Sequence, residues 1–461
     1  MKFKNTLILL GAFVLLLAAF FFLDKKGTKD TAGGAEEKLV ALASADIQKI
    51  TFKKENETLT FQKDDKGDWM AVEPLEVRAD NFEVNQLAES FADLKVERVV
   101  EKAKADLKTY QIPQKEVALW VKGKDQPVKI LIGMANPLDN SFFAQKEGDP
   151  RVVLISSSLK STLEKKFFDF RQKDIFKYET GEVKRIKLQA KNVIWEAQKT
   201  DDGWFFEAPF KAMAKETRIT TFLDTMSNLR AKEFIAENKN AEELKKFGLA
   251  AAEYKVVLSL PKTNKELAFA VHREADKTFV TTSESTKIVI PEIDPIAELE
   301  KKADDYRENK VVTFNAWQAN KAVLKKGSLS LTLTKASNDK WYFDAAQKDE
   351  ADGSKVEAFI RKIEGLEATE YVDGPKGLSE YGLDKPQAEI AVWTKDTGEK
   401  AVEKSFTVLV GKVNPEKKQA VVKNLKLNYF FRVDASFLDE FPKEAKDWNA
   451  PVPEKKEPEK K

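Results

Sequence analysis

One sequence pattern occurs three times along this chain of 461 residues, and it constrains the fold more than any other feature. Tryptophans stand in matching contexts: GDWMAVEP around Trp69, DGWFFEAP around Trp204 and DKWYFDA around Trp341. The spacing is 135 residues between the first two (204 − 69) and 137 between the last two (341 − 204). Such a period is the size of a domain, whereas solenoid repeats run to about 20–50 residues. The chain is therefore predicted to contain three tandem domains of one fold.

An amphipathic helix is predicted after each tryptophan. Four apolar positions spaced i, i+3, i+7 and i+10 recur at the same offsets, which indicates one buried helix face in each repeat. These positions are Val84, Leu87, Phe91 and Leu94 in the first copy, Ile219, Phe222, Met226 and Leu229 in the second, and Val356, Phe359, Ile363 and Leu366 in the third. Asp80 lies three residues before Glu83 and Ser354 three before Glu357, so both fit a capping box at a helix start.

A second motif follows the helix in each copy: LKTYQI ending at Ile112, LKKFGL ending at Leu249 and LSEYGL ending at Leu383. Two segments of alternating polarity come next, such as EVALWV (116–121) and KILIG (129–133) in the first copy. Alternation with a period of two predicts strands in a sheet that has one covered face. The markers of this motif are Tyr110, Phe247, Tyr381, Gly248 and Gly382.

Each repeat is predicted to close with a second helix. Its caps are expected at Ser158, Asp294 and Asp434, because a short polar side chain at these positions can accept hydrogen bonds from a first helical turn. The closing segments end in FFDFR, ADDYR and AKDWN. The third copy therefore lacks the arginine that Arg171 and Arg307 supply in the first two.

These patterns predict an α+β fold with three tandem repeats of mostly antiparallel sheet and two helices each, plus an N-terminal transmembrane helix. The expected domains are a cytoplasmic head and transmembrane anchor at 1–24, a flexible linker at 25–45, repeat 1 at 46–180, repeat 2 at 181–316, repeat 3 at 317–449 and a disordered tail at 450–461.

The predicted anchor is the run LILLGAFVLLLAAFFFL (7–23), which is 17 residues long and carries no charge. As a helix it spans about 26 Å, close to the roughly 30 Å of a bilayer core. A cleaved signal peptide is the alternative, but its cleavage site needs small residues, and this run ends in three phenylalanines. Lys2 and Lys4 favour a cytoplasmic head. We expect a single-pass protein of the bacterial inner membrane with its bulk in the periplasm or extracytoplasmic space.

Composition argues against several classes of function. The 78 Lys and Arg residues nearly balance the 76 Asp and Glu residues, and a net charge of +2 provides no field for nucleic acid. The chain has no cysteine, so disulfides, thiolate nucleophiles, cysteine metal sites and a lipoprotein anchor are excluded. Its one histidine, His272, leaves little scope for acid–base catalysis or a transition metal. We predict no cofactor and no metal site.

Four short motifs suggest chemistry, and each has a simpler structural explanation. The S-x-x-K at 157–160 lacks the S-D-N and K-T-G elements of penicillin-recognising enzymes and falls at a predicted helix cap. The acidic string 64–68 lacks the spacing of a calcium loop and fits a hairpin turn. His272 has no second histidine with which to share a metal ion. The adjacent acids Asp304 and Asp305 need no catalytic explanation, because neighbouring acids are expected by chance in a chain with 76 of them. No G-x-G-x-x-G or Walker sequence occurs.

Two aromatic clusters, Phe142-Phe143 and Tyr429-Phe430-Phe431, lie at comparable places in copies one and three. Exposed aromatic side chains would mark a surface for a partner. A shared position in the sheet is the simpler interpretation, since large apolar residues at repeat-matched positions pack in a core by default.

The pattern of tryptophan, proline, amphipathic helix, Y-G-L turn, strand ending in I-G or V-G, and closing D-F/Y-R resembles the domain-of-unknown-function family 4340. The resemblance covers nearly all of residues 40–449 and includes Gly133 and Gly411, whereas His272 stands at the glycine position of the second copy. It implies a membrane-anchored extracytoplasmic protein associated with ABC-type transport systems, similar to gliding-motility auxiliary proteins.

The expected function is therefore a non-enzymatic scaffold or adaptor that binds a membrane protein such as an ABC transporter permease. The alternative is a cell-envelope hydrolase or polysaccharide-binding protein that uses carboxylates, since the chain has many acids and two of them about 5–9.5 Å apart in a cleft would suffice.

Overall fold

The computed structural model describes residues 37–103, 106–344, 346–373, 377–395 and 402–451. The predicted anchor at 7–23 and all but the first residues of the predicted tail lie outside these ranges. Within them, no helix is both long and apolar enough to cross a membrane. The chain divides into two compact units, the first ending at Lys173 and the second beginning at Asp174. The domain limits expected near residues 180 and 316 stay predictions.

Each repeat contains one large sheet. In repeat 1 nine strands have the order β4-β3-β2-β1-β6-β7-β8-β9-β5. The elements are β1 Ile47–Lys53, β2 Thr58–Lys63, β3 Trp69–Glu73, β4 Val77–Arg78, α1 Asn81–Ala92, β5 Arg98–Glu101, β6 Lys115–Val121, β7 Val128–Ala135, β8 Phe142–Lys146, β9 Val152–Ile155 and α2 Lys160–Glu164.

Repeat 2 has the same topology, with the order β13-β12-β11-β10-β15-β16-β17-β18-β14. Its elements are β10 Arg185–Ala190, β11 Val193–Thr200, β12 Gly203–Ala208, β13 Ala212–Met213, α3 Glu216–Ser227, β14 Ala231–Ala236, α4 Ala241–Lys246, β15 Tyr254–Leu260, β16 Lys265–Glu274, β17 Lys277–Thr282, β18 Ile288–Pro291 and α5 Ile296–Leu299.

Repeat 3 has eight strands in the order β21-β20-β19-β23-β24-β25-β26-β22. Its elements are β19 Ala319–Lys326, β20 Leu329–Lys335, β21 Trp341–Tyr342, α6 Gly353–Glu364, β22 Ala368–Val372, β23 Ala388–Lys395, β24 Glu403–Asn414, β25 Gln419–Asn424 and β26 Phe430–Asp434. The three sheets confirm the prediction of mostly antiparallel sheet in tandem copies.

The strand order explains why each repeat needs a long helix. Strands β1 to β4 extend the sheet in one direction and β6 to β9 extend it in the other, with β1 and β6 paired at the centre. The chain must then cross from the β4 edge to β5 at the opposite edge, and α1 makes this connection. Val84, Leu87 and Phe91 of α1 are fully buried in one cluster with strand residues such as Ile50 and Ile132.

The helix ends differ slightly from their predicted positions. The Asp80 side chain accepts from the amides of Phe82 and Glu83, as the capping box predicts. In repeat 3 the cap is Asp352, which accepts from Ser354 and Lys355, so the predicted cap at Ser354 is wrong. Ser354 lies inside the first turn because an aspartate two residues earlier already satisfies the free amides.

The turn after the helix covers the second face of each sheet. Its aromatic residue packs on an aromatic residue of the outer strands in every copy, and the ring centroids of Tyr110 and Phe143, Phe247 and Phe279, and Tyr381 and Phe430 are 4.8, 5.0 and 5.3 Å apart. A small apolar cluster forms around each pair. The sheets are therefore covered on both faces, by the long helix on one side and by this turn on the other.

The predicted second helix is shorter than expected in every repeat. It amounts to α2 in repeat 1 and α5 in repeat 2, and in repeat 3 only the 3-10 turns Ala435–Glu440 and Ala445–Trp448 occupy this segment. The segment cannot remain helical because its end pairs, as extended backbone, with the residue just before the cap of the long helix: Ala79 with Arg171, Ala214 with Arg307 and Ala351 with Asn449.

The predicted caps of this closing segment are only partly correct. Asp294 accepts from the amide of Ile296, and Asp434 accepts from that of Ser436. The cap predicted at Ser158 is wrong, because the side chain of Ser156 accepts from the amide of Ser158. The turn begins two residues earlier than the sequence pattern indicates.

A glycine allows the Y-G-L turn to approach the strand beneath it. A Cβ atom on Gly133 would overlap the carbonyl oxygen of Tyr110, and one on Gly411 would overlap that of Tyr381. In repeat 2 the strand carries His272 instead, and here Gly248 in the turn (φ +68°) leaves space for the imidazole. Where the turn crosses the strand in each repeat, a glycine is therefore needed on either the turn or the strand.

We expect Gly133→Ala to destabilise repeat 1 by about 1–3 kcal/mol, because the methyl group must displace the backbone of the turn. Hydrogen exchange of the β6 and β7 amides measures this loss. Gly181→Ala is the control, since no atom lies within 4 Å of its Cβ position. Equal protection of the β6 and β7 amides in Gly133→Ala and in the unmodified chain would contradict this account of the glycine.

Candidate functional site

Repeats 2 and 3 share part of one hydrophobic core. Ala212 of β13 belongs to the same buried cluster as Tyr429 and Phe431 of repeat 3. Phe205 and Phe210, from β12 and from the turn between β12 and β13, pack against that same cluster. We call this contact region the joint. A core shared across two repeats removes apolar surface from water only while the repeats stay together.

Arg307 enters the joint from the closing segment of repeat 2. This residue follows the 3-10 turn Ala303–Tyr306 and pairs with Ala214 as a single antiparallel bridge. Two backbone hydrogen bonds flank the bridge, from Lys215 to Tyr306 (2.7 Å) and from Glu308 to Met213 (2.9 Å). The backbone around Arg307 is thus held beside β13, which directs its side chain to repeat 3.

The guanidinium group of Arg307 is fully buried, with a side-chain exposure of 0%. Its two terminal nitrogens donate to the two carboxylate oxygens of Asp373, at 2.9 and 2.5 Å. Three aromatic rings surround its central carbon, with centroids 3.8 Å away for Tyr371, 4.3 Å for Phe210 and 4.9 Å for Tyr429. A planar cation with five donors suits such a site, because it stacks on rings and binds a carboxylate through two bonds at once.

The protonation states in the joint favour this arrangement. Burial acts to lower the pKa of Arg307, but hydrogen bonding and the charge of Asp373 outweigh it, so the pKa is raised. Burial also raises the pKa of Tyr371, and it raises the pKa of Tyr429 to about 12. Both phenols are therefore neutral at physiological pH, and both hydroxyls cross the joint: Tyr429 accepts from the Met213 amide (3.2 Å) and Tyr371 donates to the Glu308 carbonyl (3.3 Å).

A cleft of about 340 Å³ opens beside the joint. Repeat 2 lines it with residues that include Phe205, Lys211 and Ala212, and repeat 3 with residues that include Lys426 and Tyr429. Its walls offer aromatic surface, a few charges of both signs and backbone groups, which suit the binding of a short peptide segment. In the part of the chain that the structure describes, no group of three acids or histidines could hold a metal ion.

The repeat markers themselves belong to the cores and not to this site. Trp69, Trp204 and Trp341 are all at most 2% exposed. The indole nitrogen of Trp69 donates to Asn85 (2.7 Å) and that of Trp341 to Glu357 (3.5 Å), so each ties a hairpin to the long helix. Tyr110, Phe247 and Tyr381, with Gly248 and Gly382, form the turns on the second face of the sheets.

The other candidate motifs are scattered over the repeats. Asp64 accepts from the amides of Lys66 and Asp68, which makes the acidic string a hairpin turn. Asp304 lies 3.6 Å from Arg307 at the rim of the joint, whereas Asp305 accepts from the amide of Lys302. His272 packs against Gly248 in the turn on the second face of the repeat 2 sheet.

Sequence analysis identified Arg307 as a recurring residue but missed its partners Phe210, Tyr371 and Asp373. Tyr429 was considered only as part of an aromatic cluster; that cluster and Phe142-Phe143 are buried. A signal was present, since an arginine closes the two copies that another copy follows and Asn449 closes the last. This contrast indicates a contact between repeats, although it does not reveal the residues on the far side.

The family model of a domain of unknown function (DUF4340) matches the chain three times, at residues 69–242, 204–386 and 341–460. No curated protein matches. One solved structure with a weak likeness is the DNA polymerase III subunit beta from Pseudomonas aeruginosa, which is 7% identical over 86% of this chain and 94% of that chain with a TM-score of 0.15. That likeness has no bearing on the fold described above.

We expect Asp373→Asn to weaken the joint by about 1–3 kcal/mol, because it removes the carboxylate that accepts two hydrogen bonds from a buried guanidinium. Hydrogen exchange of the β22 amides measures the change. Asp304→Asn is the matched control: it also removes a carboxylate near Arg307, but its side chain is 65% exposed, so we expect an effect below about 1 kcal/mol. Equal effects of the two substitutions would show that the bidentate contact does not hold the joint.

The raised pKa of Tyr429 predicts a specific dependence on pH. The unfolded chain ionises this phenol near its ordinary pKa of 10.0, and the folded chain only near 12. Its contribution to stability is thus complete below about pH 10 and is lost as the pH rises to about 12. Urea unfolding should show that the stability difference between the unmodified chain and Tyr429→Phe falls by about 2–3 kcal/mol over this range. A difference that stays constant would contradict the burial of a neutral phenol.

Proposed function

The chain belongs to the DUF4340 family, a domain of unknown function, and we propose that it is a non-enzymatic, membrane-anchored extracytoplasmic adaptor. Its repeats hold a membrane protein partner, and the partner class is the permease of an ABC-type transport system. The apolar run at 7–23 supports the anchor, because it is long enough to cross a bilayer core and carries no charge. The family resemblance supports the transport partner.

The observation that carries the adaptor role is the joint between repeats 2 and 3. An adaptor must present its binding surface in a fixed geometry, because every freely moving element adds an ordering cost on association. The ion pair between the buried Arg307 and the half-exposed Asp373, with the core shared through Ala212, holds the two repeats in one arrangement. The cleft beside the joint draws its walls from both repeats and so exists only in that arrangement.

The cleft is a suitable place for a peptide segment of the partner. It contains Phe205 and Tyr429, and aromatic residues with charges around them are typical of the energetically important centre of an interface. Lys211 and Lys426, together with Asp202 and Glu207, add charges of both signs, which favour a segment of mixed charge.

A photo-crosslinking residue at Lys211, in cells that make the full chain with its natural partners, tests this function. We expect the crosslink to capture an ABC-type permease subunit. The control is the same residue at Ile194, which is 62% exposed and lies on β11 outside the lining of the cleft. Capture from both positions alike, or of soluble proteins alone, would count against the proposal.

A second candidate is an envelope polysaccharide-binding protein or hydrolase that uses carboxylates. It is favoured by a cleft of about 710 Å³ in repeat 1, whose lining includes Glu89, Asp93, Glu97, Ser90 and Thr162. Carboxylates interspersed with hydroxyls suit a sugar ligand, and a pair at suitable separation would hydrolyse a glycosidic bond. Release of reducing sugar from envelope polysaccharide, abolished by Glu89→Gln, would favour this candidate over the adaptor.

A further inference from the structure

The end face of repeat 3 can be compared position by position with the face of repeat 2 that forms the joint. Met213 pairs with Phe205 in repeat 2, and Glu350 pairs with Tyr342 in repeat 3. The amide of Ala214 donates to the Trp204 carbonyl, and that of Ala351 donates to the Trp341 carbonyl. The two faces therefore share one backbone register.

This register identifies three pairs of equivalent positions. Met213 corresponds to Glu350, and Arg307, paired with Ala214, corresponds to Asn449, paired with Ala351. Ala212 lies opposite Phe206, and the matching contact in repeat 3 runs from the Phe343 amide to the Asp349 carbonyl (3.0 Å), so Ala212 corresponds to Asp349. Two apolar residues and an arginine in repeat 2 are thus two acids and an asparagine in repeat 3.

The equivalent residues of repeats 2 and 3 differ in burial. Ala212 and Arg307 are buried in the joint, whereas Asp349 and Asn449 are exposed. Glu350 forms an ion pair with Lys340 at 2.8 Å inside its own repeat. A following repeat placed on this face would bury two carboxylates and an asparagine amide against apolar residues, which is unfavourable without matched partners.

We propose that these three register-matched positions decide whether a repeat holds another copy behind it. Alanine, methionine and arginine form a docking face whose partner is a repeat that presents two tyrosines and an aspartate, as Tyr371, Tyr429 and Asp373 do. Aspartate, glutamate and asparagine at the same positions form a polar face on repeat 3 that does not accept such a repeat. This inference is independent of the adaptor role, because it concerns contacts inside the chain.

Transferring the residues of repeat 3 into repeat 2 tests the proposal. The triple substitution Ala212→Asp, Met213→Glu and Arg307→Asn should open the joint and leave the sheet of repeat 2 folded, since repeat 3 accepts these residues on the same backbone. Hydrogen exchange of the full chain in mild detergent separates the two effects. We expect at least tenfold faster exchange of the amides at 368–373 and 427–431, with no change in β15 and β16.

A control with the same charge change isolates the role of the joint. Ile194→Asp, Thr221→Glu and Lys255→Asn alter exposed positions of repeat 2 outside the joint, and they should leave the exchange at 368–373 unchanged. Two results would overturn the proposal. One is a swapped chain whose amides at 368–373 and 427–431 stay as protected as in the unmodified chain; the other is faster exchange in β15 and β16, which would mean that the backbone of repeat 2 does not accept the residues of repeat 3.

Discussion

A buried guanidinium group is stable only where a counter-charge and acceptors surround it, and Arg307 has its two-bond contact with the Asp373 carboxylate only when repeats 2 and 3 are together. Its backbone is held by repeat 2 through the bridge to Ala214, and its ion pair with Asp373 lies in repeat 3. The rings of Tyr371 and Tyr429 exclude water and add attraction to the cation. Separation would remove the Asp373 carboxylate from Arg307 and expose the apolar core shared through Ala212 and Phe431.

The same closing segment explains two other features of the fold. Because its last residues must pair with the backbone just before the long helix, the segment cannot continue as a helix, and this is why the predicted second helices are short or absent. The pairing also places residue 307 or its equivalent at one end of every sheet. One structural requirement therefore shortens a helix and, in repeat 2, delivers the arginine to the joint.

The sequence predicted the framework well because periodicity reports burial along one element. The long helices, the strands around them and the hairpin turn before Trp69 follow from local patterns, and Asp80 caps its helix as expected. The joint was not predictable in this way, since Phe210 and Tyr371 are 161 residues apart (371 − 210) and belong to different copies. Ser158 and Ser354 were assigned as caps because they fit a pattern, but Ser156 and Asp352 cap these turns from two residues earlier.

The central claim is that repeats 2 and 3 form one rigid body. Since the chain has no cysteine, Ile194→Cys with Ser330→Cys places one spin label on each repeat, and Ile194→Cys with Thr221→Cys gives the width expected within a single repeat. Pulsed electron–electron double resonance on the full chain then measures both distance distributions. The account predicts a single distance between the repeats, as narrow as the control. A broad or multiple distribution between the repeats, beside a narrow control, would contradict it.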